Sequence, residues 1–222
     1  MTPVYDHAGI SIYLGDGVML LPTVRADVLC LDPPYGTNEH GGYGRRQLGL
    51  HTIDNDDDMS LRDALLVQWG NRPAIVFGSP RRAEPMGAWD YRLVWDKRSP
   101  GLGAPWRWQH ELIYLRGEWT NIPGTPSILS ISAGNAMRDR EHPHEKPVAL
   151  MLALLRGTTG TILDPCMGSG SALIAAKILG RSAIGIENSE SCCDVAIRRL
   201  EQEMLPFDLA APELAHQFSL ID

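Results

Sequence analysis

The chain has 222 residues, a formal net charge of -7, 44% hydrophobic residues and 21% charged residues. This length and composition are typical of one globular α/β domain. No apolar stretch approaches the ~18–20 residues of a membrane-spanning helix, and no signal-peptide pattern is present, so we expect a cytoplasmic protein with no membrane partner. The four cysteines lack CxxC pairing, which predicts neither a zinc site nor a disulfide framework.

The distribution of the basic residues bears on the choice of partner. A net charge of -7 disfavours nucleic acid, yet the cations are grouped as Arg45-Arg46, Arg81-Arg82, Lys97-Arg98, and Arg138 with Arg140. One interpretation is a basic face on an acidic protein, and the other is ordinary solvated surface charge.

The first predicted strand covers residues 10–14 and ends in Gly15-Asp16-Gly17. Glycines allow unusual backbone geometry around a carboxylate. Asp16 is therefore either part of a simple turn or an acceptor for the amino group of an adenine ligand. A short helical link over residues 18–21 leads to the next strand.

A buried strand over residues 26–31 runs directly into Asp32-Pro33-Pro34-Tyr35. The prolines end the strand, and ligands of open α/β sheets bind at the carboxyl ends of strands. A carboxylate and a backbone carbonyl can accept both N–H hydrogens of an exocyclic nucleobase amine, and an aromatic ring can stack on the base. The alternative is a Pro-Pro turn with Asp32 as a cap.

The middle of the chain contains polar loops between further predicted elements. Residues 36–46 form a glycine-rich loop that either closes over a substrate or is disordered. A helix over 60–69 and strands over 74–78, 92–95 and 111–115 follow, with Trp106-Arg107-Trp108 before the last of these. Interleaved aromatic and basic residues suit nucleic-acid stacking, although a tryptophan can equally pack inside.

A nucleotide-cofactor pattern lies near the end of the chain. A helix opens at Pro147 and runs to Leu155, and then a strand over 161–163 meets the turn Asp164-Pro165-Cys166-Met167-Gly168-Ser169-Gly170 and a helical run over 172–179. Strand, glycine turn and helix form the usual nucleotide-cofactor arrangement. The next strand, 182–186, ends in Glu187, about 20 residues on, where an acid can hold ribose hydroxyls. Ser189 caps a last helix, predicted to end near residue 204.

These segments together resemble the amino-methylating DNA methyltransferases that use S-adenosylmethionine and act on adenine N6 or cytosine N4. The resemblance is to the group in which the catalytic half precedes the cofactor half. The matching segments are Asp32-Pro33-Pro34-Tyr35, His144-Glu145-Lys146-Pro147, the 164–170 turn and Gly185-Ile186-Glu187. Residues 93–97 and 110–113 also look like family segments.

The resemblance implies an α/β, Rossmann-like methyltransferase fold with a mostly parallel seven-stranded sheet, helices on both faces and a circularly permuted motif order. It implies one methyltransferase domain over 1–222. The catalytic half covers about 10–120, a short substrate-reading insertion about 121–141, and the cofactor half about 142–204.

The resemblance also implies residue roles. The catalytic tetrapeptide is Asp32, Pro33, Pro34 and Tyr35, of which Asp32 and the Pro33 carbonyl hold the target amine and Tyr35 stacks on the flipped base. S-adenosylmethionine, converted to S-adenosylhomocysteine, is held by Asp16, Asp32, Lys146, Pro147, Asp164, Pro165, Cys166, Gly168, Ser169, Gly170, Glu187 and Asn188. The polar 36–46 loop and the Trp106-Arg107-Trp108 segment, rather than the resemblance, predict that the substrate is contacted by Asn38, Arg45, Arg46, Arg107 and Trp108.

An aspartate rather than a serine at the first catalytic position favours adenine N6 over cytosine N4. DNA is the expected partner, no metal is required, and the short substrate-reading region favours a homodimer and a bacterial or phage-encoded enzyme. Three alternatives stay open: adenine in RNA, a nicotinamide dehydrogenase that leaves the tetrapeptide without a task, and a catalytically silent DNA-binding protein.

Overall fold

One mixed β-sheet forms the centre of the computed structural model, which describes residues 2–34, 59–99, 101, 105–120, 125–133 and 145–202. Within these residues the sheet has nine strands, in the spatial order β1-β2-β9-β8-β3-β4-β6-β5-β7. The strands are β1 (Tyr5–His7), β2 (Ile10–Leu14), β3 (Val28–Leu31), β4 (Ala74–Gly78), β5 (Tyr91–Asp96), β6 (His110–Arg116), β7 (Ile128–Ser130), β8 (Ile162–Asp164) and β9 (Ala183–Glu187).

Seven of these strands run in one direction, and β1 and β6 run against them. The mostly parallel sheet is therefore confirmed, but it contains nine strands where the family resemblance implied seven. Two strands of three residues each, β1 and β7, form the outer edges of the sheet. Strands of three residues are too short to show a hydrophobic alternation in the sequence. They form because each pairs with a longer neighbouring strand.

The helices cover both faces of the sheet, as predicted. They are α1 (Gly17–Leu20), α2 (Ser60–Trp69), α3 (Val148–Leu155), α4 (Ser171–Ile178) and α5 (Glu190–Glu201). Alternate residues of β4 serve opposite faces: Ile75 and Phe77 pack in the core with α3, α4 and α5, whereas Ala74 and Val76 pack in the core with α2. This alternation follows from the two-residue period of a strand that is buried on both sides.

The two halves of the chain meet where β8 pairs with β3 in parallel, Val28 opposite Ile162 and Leu29 opposite Leu163. This pairing joins the catalytic half and the cofactor half into one continuous sheet. The carboxyl ends of β2, β9, β8 and β3 are therefore neighbours along one edge. None of the helices in the described part of the chain is long and apolar enough to cross a membrane.

Candidate active site at the carboxyl edge of the sheet

Asp32 lies immediately after β3, at the carboxyl edge, with 22% of its side chain exposed. Its two carboxylate oxygens each accept a hydrogen bond from the Lys146 ammonium, at 2.7 Å. Pro33 is buried behind it. Asp32 is thus held in place from one side and remains reachable from solvent.

Lys146 belongs to a chain of alternating charges. Its ammonium lies 3.3 Å from Oε2 of Glu111, at the start of β6, and Oε1 of Glu111 lies 2.5 Å from the Lys97 ammonium. Burial lowers the pKa of Lys146, but Asp32 and Glu111 raise it by more, so its pKa lies above the ordinary value for lysine. Lys146 is therefore protonated at neutral pH, and its positive charge balances the two neighbouring carboxylates.

The glycine turn after β8 brings backbone and carboxylate groups together. Gly168 and Gly170 have φ values of +50° and +80°, a region that favours glycine. The Gly168 amide donates to Oε2 of Glu187 at 2.9 Å, and the Ser189 amide donates to Oε1 at 3.0 Å. Because Glu187 holds the turn from the end of the neighbouring strand, the turn and the acid form one unit.

Asp164 is the most strongly perturbed carboxyl group of this edge. It is buried, with 3% of its surface exposed, and one oxygen accepts from the Cys166 amide at 3.2 Å. Burial raises its pKa to about 8, and the nearby carboxylates of Asp32 and Glu187 act in the same direction. Asp164 is consequently protonated in the free protein near pH 7, and a cation beside it would restore its charge.

Asp16 lies at the end of β2, two strands from Asp164. It caps α1, since its Oδ1 accepts from the Met19 amide at 3.0 Å. Gly17 follows in close contact with the glycine turn, and a Cβ at this position would lie 2.5 Å from the Pro165 carbonyl oxygen. Asp16 is thus exposed beside the turn, but its carboxylate already has a structural task.

The structure locates the other predicted site residues in different ways. Pro147 is the N-cap of α3 and Asn188 is exposed after β9. Arg107 and Trp108 are exposed in the connection from β5 to β6, at the same edge as Asp32. The predicted positions Tyr35, Asn38, Arg45 and Arg46 lie outside the described residues.

Three residues that were not among the predicted site residues contribute to the site. Glu111 and Lys97 extend the chain of charges, and Arg199 of α5 binds both Ser169 and Glu145, donating to the Ser169 carbonyl at 2.7 Å and lying 2.6 Å from the Glu145 carboxylate. Arg199 thereby ties the glycine turn to the segment that carries Lys146. The sequence signals for these residues were the positions of Lys97 and Glu111 in the family-like segments 93–97 and 110–113.

The composition of this edge fits a cationic nucleotide cofactor. Asp16, Glu187, Asp164 and Asp32 follow four neighbouring strands, so carboxyl groups gather along a short stretch, and Asp164 among them becomes charged when a cation lies beside it. A Cβ placed on Gly168 would meet no heavy atom within 4 Å, so the space above the turn is open. Acids for an ammonium and a sulfonium, an acid for ribose hydroxyls and the open space above the glycine turn suit S-adenosylmethionine.

Comparison with known proteins gives a consistent picture. A family model described as DNA methylase matches residues 65–198. The chain is 28% identical over 193 residues to an Escherichia coli K12 protein provisionally named methylase YubD, which covers 78% of this chain and 82% of the relative. It is 32% identical over 87 residues to the type II methyltransferase M.ScaI of Streptomyces caespitosus, over 38% of this chain and 29% of the relative.

Solved structures share the fold. The cytosine-N4-specific PvuII DNA methyltransferase superposes with a TM-score of 0.66 at 14% identity, covering 97% of this chain and 95% of that one. The M1.HpyAVI complex with S-adenosylmethionine superposes with a TM-score of 0.58 at 21% identity, covering 86% of this chain and all (100%) of that one.

Proposed function

The chain belongs to the N6/N4 DNA methylase family, whose cofactor is S-adenosylmethionine, and we propose that it methylates the N6 amino group of adenine in DNA. The observation that carries the proposal is the position of Asp32. It follows β3 at the carboxyl edge, directly beside the acidic strand ends of the cofactor half. An aspartate at this position of the tetrapeptide supports adenine over cytosine.

The residues of the site act on the amine rather than on the methyl group. Asp32 and the Pro33 carbonyl accept the two N–H hydrogens, which keeps the nitrogen lone pair out of the ring and directed toward the methyl donor. Asp32 also stabilises the positive charge that develops on nitrogen. The cofactor would supply a methyl group on a positively charged sulfur. The carbon–nitrogen bond would form as the carbon–sulfur bond breaks, which leaves neutral S-adenosylhomocysteine, and one N–H proton of the amine would then pass to solvent. The transfer would thus be direct and form no covalent enzyme intermediate.

The cofactor half has a separate task. Asp164 and the amides near Gly168 and Gly170 hold the methionine end of the cofactor, and Glu187 accepts from the ribose hydroxyls. The target base must leave the duplex, which costs a few kcal/mol, offset in part by stacking on Tyr35.

DNA is the proposed partner because exposed cations and aromatic rings accompany the catalytic edge. Arg81 and Arg82 follow β4 at this edge, and Arg98 and Arg107 lie in the connection from β5 to β6. All four are exposed, and no ion pair joins them to a carboxylate within the described ranges. Trp106 in the same connection is 79% exposed, as a base-stacking residue must be.

Replacing Arg98 and Arg107 together by alanine is expected to weaken DNA binding at every sequence tested. The plot of the logarithm of the DNA association constant against log[salt] has a negative slope. For each phosphate that is no longer neutralised, this slope should become less negative by about 0.9. Fluorescence anisotropy at several salt concentrations measures this slope. Arg25→Ala is the matched control, because Arg25 is also exposed but precedes β3 at the opposite edge. An unchanged slope in the double variant would show that these two arginines do not touch the DNA backbone.

The reaction is tested by methyl transfer from labelled S-adenosylmethionine to mixed-sequence duplex DNA, followed by digestion to nucleosides and mass spectrometry. N6-methyladenine is the expected product. N4-methylcytosine is the second candidate, because a cytosine-N4-specific enzyme shares the fold, and its appearance would correct the base while keeping the chemistry. Cofactor binding without any labelled DNA base would contradict the proposal and direct the assay to RNA.

A further inference from the structure

Lys146 has contacts that differ from those of a cofactor ligand. Its ammonium donates to both oxygens of Asp32 at 2.7 Å and lies 3.3 Å from Glu111. The side chain is 7% exposed, and its ammonium lies 5.2 Å from the centre of the Phe77 ring of β4. It therefore bridges the end of β3 and the start of β6 across β4, on the side of the core covered by α3.

From this geometry we infer that Lys146 is a positioning residue for methyl transfer: it holds the Asp32 carboxylate in the orientation that receives the substrate amine. The inference rests on the proposed function, because Asp32 is the acceptor in that proposal. It assigns Lys146 to the catalytic carboxylate rather than to S-adenosylmethionine.

The hydrogen bonds of Asp32 are compatible with this role. A carboxylate oxygen has two lone-pair directions, and the ammonium uses one on each oxygen. The side chain is also 22% exposed, so a substrate amine can approach the carboxylate from solvent. Without the ammonium, the Asp32 carboxylate would lose both of its 2.7 Å hydrogen bonds to Lys146, and a misplacement of about 1 Å at a reacting group can cost about 10²-fold in rate.

Glu111 and Lys97 support Lys146 from the other side. Glu111 is buried and lies between the two lysines, so it fixes the position of the Lys146 ammonium relative to β6. Lys97 is 28% exposed at the far end of the chain of charges. The three positions therefore predict a graded effect, largest at Lys146, smaller at Glu111 and smallest at Lys97.

The test compares Lys146→Met with the wild type in two measurements, the single-turnover rate of methyl transfer and the dissociation constant for S-adenosylmethionine. The expected result is a rate about 10²-fold lower with a dissociation constant within about threefold of wild type. Lys146→Arg retains the cation and should recover at least a tenth of the wild-type rate. Lys177→Met is the matched control, since Lys177 donates to the Leu200 carbonyl at the far end of α4.

Two outcomes would overturn the inference. A dissociation constant that rises as much as the rate falls would make Lys146 a cofactor ligand, and a rate equal to wild type would leave it without a positioning role. If Lys146→Met fails to fold, Glu111→Gln decides: a rate about tenfold lower with unchanged cofactor affinity supports the inference, and an unchanged rate contradicts it. Failure of the proposed function is separate, because it appears as a wild-type protein that transfers no methyl group to DNA.

Discussion

Replacing Asp32 by asparagine is expected to lower the rate of methyl transfer by at least about 10³-fold while S-adenosylmethionine affinity stays within about threefold of wild type. Asparagine keeps the shape of the side chain but removes the negative charge. One of its two terminal groups becomes a donor, which cannot accept an N–H from the base. The positive charge that develops on the amine nitrogen then has no counter-charge in front of it.

The measurement is a single-turnover rate combined with calorimetric titration of the cofactor. Thermal unfolding of the variant is needed as well, because Asp32 also neutralises the buried Lys146 and loss of one member of a buried pair destabilises a fold. Asp90→Asn is the control carboxylate: Asp90 accepts from the Gly117 amide at the opposite edge of the sheet. Equal losses of rate and cofactor affinity in Asp32→Asn would remove Asp32 from the transfer step.

The parts of the site that the sequence predicted are those governed by short-range rules. Glycine or proline follows the ends of β2, β3 and β8 within two residues, and the carboxyl ends of parallel strands meet at one edge. Asp16, Asp32, Asp164 and Glu187 were each placed at the end of a predicted strand, and the structure finds all four at neighbouring strand ends. Their roles stay predictions, but their proximity is a consequence of the topology.

The parts that the sequence did not predict depend on contacts between distant residues. Lys146 and Asp32 are 114 positions apart in the sequence, and no local sequence pattern predicts their pairing. Glu111 reaches Lys146 because β6 runs antiparallel to β4 and so begins at the edge where β3 ends. That reversal depends on strand order, which periodicity does not encode. The short edge strand β1 was missed for a related reason, since it depends on β2 for its pairing.

The second large effect concerns Asp164 and the pH dependence of cofactor binding. Its pKa of about 8 means that the free protein carries a proton on this carboxyl at neutral pH. A cationic cofactor amine beside it favours the ionised form, so binding should release about one proton, and affinity should rise up to about tenfold per pH unit between about pH 6 and about pH 7.5. Titration calorimetry in buffers of different ionisation enthalpy counts the released proton.

Asp164→Asn separates cofactor binding from stability, because it should weaken S-adenosylmethionine binding but stabilise the free protein at alkaline pH. Removal of a charge-assisted hydrogen bond of about 1.5–3 kcal/mol should weaken S-adenosylmethionine binding by about 10- to 150-fold and abolish the proton release.

In the free protein the raised pKa of Asp164 means that the stability associated with the neutral carboxyl is complete below the ordinary pKa of 3.8 and is lost as pH rises through about 8.

Asparagine cannot ionise, so the variant should unfold at the same temperature as wild type at acidic pH and at a higher temperature above about pH 8. The control is Asp6→Asn, a change at an exposed residue of the edge strand β1 that should alter neither the proton release nor the pH profile of unfolding. A variant that binds the cofactor as tightly as wild type, or still releases the proton, would show that another group near the glycine turn receives the cofactor amine. Glu187 would then be the next residue to test, because its carboxylate already holds the Gly168 amide.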